Sequence, residues 1–254
     1  MNSVNYLRVS DKKEESAKKG IGRLKVMGSN YSIKYNIDIV MCIDATGSMG
    51  RLINTVKKNA LSFHSDLVST LENSSKHVDR LRVRVIAFRD YVEDKMDAML
   101  VSNFFELPNQ SSEFEQLVNS IEPFGGGDDD EDGLEALAYA IKSDWTTAGT
   151  KKRHIIIVWS DDGTHQLGFG SSEPNYPKKM AKDFDTLTEW WGDSDQPGLM
   201  DNSAKRLIIY APDKKYWSTI SDTWEQVLHF PSSAGTGLKD LEYEEILNAI
   251  KNSI

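Results

Sequence analysis

The sequence predicts an α/β fold, a mainly parallel sheet flanked by helices, and three observations carry that prediction. Short apolar runs alternate with stretches of helical periodicity along the chain. Two of those runs, Ile37–Ile43 and His154–Trp159, are apolar almost without break, as strands buried on both faces must be. Each run stops abruptly at a loop rich in acids and hydroxyls, where open α/β sheets bind their ligands.

Taken in order, residues 1–30 are polar and mixed in charge and read as an arm or short helix, leaving 31–254 as one domain. Ile37–Ile43 is the first strand. Met49, Leu52, Ile53, Val56, Ala60, Phe63, Leu67 and Leu71 recur at helical spacing and predict one long amphipathic helix. Leu81–Phe88 is a strand whose first half alternates. Met99–Phe105 reads as a short antiparallel edge strand. Ser111 followed by Glu113 opens a helix to about Ile121, and Leu134–Ser143 is another. After His154–Trp159 come a helix over Lys178–Trp191, strands Arg206–Ala211 and Val227–Phe230, and a closing helix Leu241–Ile250. Strands and helices in alternation predict a Rossmann-like, doubly wound sheet.

Composition narrows the function classes. The chain has 254 residues, 39% hydrophobic and 27% charged, which is the balance of a globular protein. Its net charge of −9 argues against a nucleic-acid backbone as partner, and no basic face offsets it. Its one cysteine, Cys42, lies inside the first apolar run and reads as a buried small hydrophobe. No stretch is apolar for long enough to span a membrane, and the N-terminus lacks a secretory apolar core, so a cytoplasmic location is expected.

Three acid-bearing loops stand out: Asp44-Ala45-Thr46-Gly47-Ser48, the glycine–acid run Gly125–Gly133, and Ser160-Asp161-Asp162. Any one of them alone is an ordinary helix cap. In a parallel sheet, however, all three fall on one edge and can converge on a single cation. Carboxylate and hydroxyl oxygens suit Mg²⁺ or Mn²⁺, with Ca²⁺ ranked behind them and zinc or copper disfavoured. Two other chemistries fail on spacing. Asp128, Asp130, Asp132 and Gly133 match an EF-hand's early positions, yet Tyr139 stands where the bidentate Glu is required. An aspartyl phosphatase would want a second acid where this chain has Thr46.

The stretch Ile43-Asp44-Ala45-Thr46-Gly47-Ser48-Met49-Gly50 resembles the metal-ion-dependent adhesion site (MIDAS) of von Willebrand factor type A (VWA) domains. Ala87-Phe88-Arg89-Asp90-Tyr91, Gly125–Asp132 with Leu137 beyond, and Ser160–His165 are similar to the loops of the VWA domain attached to some alpha-kinases. The resemblance covers roughly 35–250 and implies the VWA fold. It also implies metal ligation by Asp44, Thr46, Ser48, Asp128 and Asp161. Asp128 would stand in for the family's middle-loop threonine, and Asp162 remains an alternative to Asp161. Arg89 and Asp90 would pair with each other to brace the loops, and His165 is either a hydrogen bonder behind the ligands or a plain loop residue.

The implied function is metal-dependent protein binding by an intracellular adaptor or scaffold, not an enzyme. Its open coordination position would accept an Asp or Glu of a protein partner, with a separately encoded kinase, phosphatase or ATPase among the candidates. Two alternatives stand beside it: a metal-dependent phosphoester hydrolase built on the same acids, and a degenerate VWA domain that binds proteins without metal.

Overall fold

A computed structural model describes residues 34–126 and 130–254. The arm expected over 1–30, and Asp128 in the middle loop, lie outside the described residues.

Strand β1 (Lys34–Asp44) is a central strand of the main sheet and is buried from Ile37 onward. The chain continues through α1 (Gly50–Asn59), α2 (Phe63–Glu72), β2 (His77–Phe88), β3 (Met99–Val101), β4 (Phe105–Leu107) and α3 (Ser111–Ser120). Beyond the middle loop come β5 (Asp130–Glu131), α4 (Gly133–Ile141), β6 (Lys151–Trp159), β7 (Gly163–Thr164), α5 (Phe184–Trp191), β8 (Lys205–Pro212), α6 (Trp217–Thr223), β9 (Val227–Ser232) and α7 (Tyr243–Ser253). The main sheet runs β3-β2-β1-β6-β8-β9, with β4 also on β2. Every pair from β2 across to β9 is parallel, and only β3 and β4 run antiparallel, at the β2 edge. The architecture is therefore mixed α/β with a mainly parallel central sheet flanked by helices.

Alternation along the strands divides the core in two. Ile37, Ile39, Met41 and Ile43 of β1 pack with Leu52 of α1, Leu67 of α2, Phe114 of α3 and Ile250 of α7. Val40 and Cys42 point the other way, onto Leu137 of α4, Leu187 and Trp191 of α5 and Trp217 of α6. Helices on both faces explain why the central strands are apolar throughout. Cys42 is fully buried, and burial raises its thiol far above the ordinary range, so it is an inert core residue.

Three elements depart from expectation. The long helix is broken at Ala60–Ser62, where the Ala60 amide bonds back to Lys57 and the Asn59 side chain donates to the Thr55 carbonyl at 2.8 Å. Such side-chain bonds compete with the helical ladder, while the apolar stripe carries across the break undisturbed. The expected strand Met99–Phe105 is two strands, because Ser102 intervenes: its hydroxyl accepts from Val85 N (2.9 Å) and donates to Asn103 O (2.7 Å). The helix expected from Lys178 starts only at Phe184, where Asp183 caps it by accepting from Thr186 N at 2.8 Å.

Candidate functional site

The chain leaves β1 outward to β2 and later returns to lay β6 against the other side of β1. The reversal opens a crevice at the strands' carboxyl ends, between the loops that follow β1 and β6. Asp44 is the last residue of β1 and is fully buried there. Its Oδ1 accepts from Thr46 N (2.9 Å) and Thr46 Oγ1 (2.6 Å), and its Oδ2 accepts from Ser160 Oγ (2.9 Å). Thr46 Oγ1 lies 3.3 Å from Ser48 Oγ, which donates to Asp161 Oδ1 at 2.9 Å. One continuous run of oxygens thus joins Asp44, Thr46, Ser48 and Asp161.

These residues line a crevice of about 230 Å³, together with Gly125, Gly126, Glu131, Asp162 and Gly235. Burial pushes the Asp44 carboxyl up to about 6, opposed by the hydrogen bonds from Thr46 and Ser160 and assisted by the negative charge of Asp161. The Arg89 guanidinium, bonded to the neighbouring Ala45 carbonyl, also acts on it electrostatically. The two carboxylates are held together by intervening hydroxyls. Among the described residues, no cluster of three or more His, Cys, Asp or Glu side chains is arranged to hold a metal ion. What the crevice offers is a mixed set, two carboxylates and two hydroxyls, and such hard oxygens are the donors that Mg²⁺ or Mn²⁺ takes alongside water.

The two neighbouring acids after β6 part company. Asp161 turns into the crevice, and the loop after β9 holds it: Gly237 N donates to its Oδ2 and Gly235 N to its carbonyl, each at 2.7 Å. Gly237 sits at φ +64°, and a Cβ there would collide with the Ser48 carbonyl oxygen, so glycine is required. Asp162 ion-pairs with Lys214 and accepts from its neighbour Gly163 N at 2.8 Å.

Arg89 and Asp90 do not pair with each other. The Arg89 guanidinium donates to four backbone carbonyls: Ala45 and Phe124 (both 3.0 Å), Asp97 (2.7 Å) and Glu122 (2.6 Å). It also lies 3.9 Å from the centre of the Phe124 ring. It braces the loops through their backbones. Asp90 accepts instead from the Val92 and Glu93 amides and lies 2.7 Å from His165 Nε2. The His165 ring stacks on Phe169 at 4.0 Å, which makes it a hydrogen bonder outside the crevice.

Three contributors were absent from the sequence-derived ligand set: Ser160, Gly237 and Glu131. Ser160 sat in plain view beside Asp161. Gly237 acts through its backbone amide, which no side-chain pattern singles out. Glu131 is buried by the small parallel sheet of β5 and β7, two strands too short to leave a periodic signal.

No family model matches the chain. No curated protein matches it either. Among solved structures it is similar to the pilus adhesin SpaC of Lactobacillus rhamnosus GG in two crystal structures, one of them an open conformation. Both have a TM-score of 0.45, at 10% and 12% identity, over 86% of this chain and 30% of that one. It is also similar to the N-terminal domains of the type V pilus tip protein Mfa5 of Porphyromonas gingivalis, with a TM-score of 0.33 and 20% identity over 52% of this chain and 20% of that one. The chain spans under a third of the length of these proteins. Likenesses this faint assign no activity.

The resemblance to VWA domains is therefore corrected. No family model supports it, and the solved structures with a likeness are described as pilus adhesin and tip proteins. The MIDAS label, the intracellular adaptor function and its two alternatives, the hydrolase and the degenerate VWA domain, go with it. The physical reason is that the motifs behind it were short acid and hydroxyl loops, which cap helices after parallel strands in many folds.

Proposed function

We propose that this protein holds one hard divalent cation, Mg²⁺ or Mn²⁺, in the crevice at the head of its sheet. We take the sheet as Rossmann-like and doubly wound, with the crevice at its topological switch point. The observation that carries the reading is the convergence of Asp44, Thr46, Ser48 and Asp161 from the two strands flanking that switch, around a fully buried carboxylate. A bound cation would replace the hydroxyl hydrogens now lying between the two acids, and its charge would offset their mutual repulsion. Glu131 and Asp162, at the wall, are placed to accept hydrogen bonds from its waters.

No histidine among the described residues lines the crevice. Metal-assisted hydrolysis needs a base or nucleophile poised beside the ion. His165 is turned toward Asp90 and stacked on Phe169.

Calorimetric titration of chelator-treated protein with MgCl₂ and MnCl₂ tests the proposal. A saturable heat with a matching rise in melting temperature is expected, and both should vanish in Asp44→Asn. Wild type that gives neither heat nor thermal shift at millimolar cation overturns it.

A further inference from the structure

A second cavity, of about 610 Å³, lies between the edge strand β9 and helix α7. Parallel register sets Ile208 beside Leu228, Tyr210 beside Phe230 and Pro212 beside Ser232. By strand alternation, Leu228 and Phe230 share the sheet face of Ile208 and Tyr210, the face that α7 packs on. The helix covers Ile208 and Tyr210, which are buried, and stops short of the edge strand, leaving Leu228 44% and Phe230 42% exposed. The Phe230 ring lies flat against that of Tyr210, with centroids 4.9 Å apart and planes 15° from parallel. An apolar sheet floor is thus left open.

The rim is polar and close to neutral. Asn248 and Asn252 stand one helical turn apart on α7, and Ser233 and Thr236 face them from the loop after β9. Asn248 Oδ1 accepts from Lys251 at 2.7 Å, so its NH₂ is the end that can donate. Charged residues at the rim, Lys239, Asp240 and Glu245, come within one unit of cancelling.

We propose that this cleft binds a neutral pyranose sugar. The volume lies within the range of small-molecule sites. A pyranose has an apolar C–H face to lie on an exposed aromatic ring, and hydroxyls that both donate and accept, as carboxamides do. Near-neutrality disfavours a phosphate or a strongly basic ligand. Leu238, Leu241 and Ala249 add apolar surface among the polar groups of the rim, the mixture that a sugar's C–H and hydroxyl faces require.

The proposal does not rest on the cation reading, although the turn after β9 borders both sites, and its test is run in chelator so that the two readings fail separately. Isotope-labelled protein is titrated with D-glucose, D-galactose, D-mannose and N-acetyl-D-glucosamine, following backbone amide signals by NMR. At least one sugar is expected to shift the signals of Thr236, Lys239, Asn248 and Asn252 saturably. Affinity should fall about tenfold or more in Phe230→Ala and in Asn252→Ala. Both positions are exposed, and a thermal melt confirms that each variant folds. No saturable shift with any of the four sugars, or undiminished binding in both variants, overturns the proposal.

Discussion

Arg89 is the residue on which the crevice loops depend. Its Nε–H is shared between the carbonyls of Ala45 and Phe124 while Nη1 and Nη2 donate to those of Asp97 and Glu122, so one side chain ties the loop after β1 to those after β2 and α3. A lysine keeps the charge and loses the fork. Arg89→Lys should therefore destabilise the fold by about 2–3 kcal/mol, since several charge-assisted bonds to buried carbonyls go unmade; urea unfolding reads this, and a midpoint equal to wild type would refute it. At this scale the sequence is uneven as a guide. Asp44, Thr46, Ser48 and Asp161 were legible because acids and hydroxyls at strand ends are chemically conspicuous. The partner of Asp90 was not, since adjacency in sequence suggested Arg89 while the fold supplied His165 from 75 residues away.

Among the elements, the turn between β9 and α7 matters most to the site, because the Gly235 and Gly237 amides are what aim Asp161. Gly237→Ala forces a side chain into the left-handed region and against Ser48. The turn should back away and release the Asp161 carboxylate. Cation affinity is expected to drop at least about tenfold by calorimetry, with a stability loss of only about 1–2 kcal/mol. A variant that binds as wild type does would show that this turn plays no part. Helix and strand identities were readable from periodicity; their ends were not. The break at Ala60–Ser62 leaves the apolar stripe intact, so no hydrophobic pattern can reveal it. Helix α6 was missed although Trp217, Ile220 and Trp224 hold helical spacing, since seven residues give periodicity little room.

For the molecule as a whole, parallel sheet topology was the most legible feature: uninterrupted apolar strands bounded by helices admit few other layouts. Family membership was the least, because it rested on loops whose chemistry recurs across unrelated folds. The fold also carries an electrostatic cost that should be measurable. Asp44 titrates near 6 when folded, against an ordinary value of 3.8. A raised carboxyl favours the folded state only while protonated, so its contribution is full below pH 3.8 and lost as the pH rises through 6. In chelator, the stability difference between wild type and Asp44→Asn should move by about 3 kcal/mol against wild type across that window. Saturating Mg²⁺ should abolish the trend. Urea melts at stepped pH decide it, and a flat difference in chelator would place the Asp44 carboxylate in water.

The bond from Ser160 to Asp44 crosses between neighbouring strands that march in register up to Ile43 and Trp159. That side of the pocket is anchored in the sheet, and parting it means tearing a hydrogen-bonded ladder. The facing side, the glycine turn that grips Asp161, lies beyond the last pair of the β8–β9 ladder, Pro212 with Ser232. Whatever enters therefore meets one wall that cannot give and one that can, and occupants of unequal radius will be fitted by movement of the turn alone.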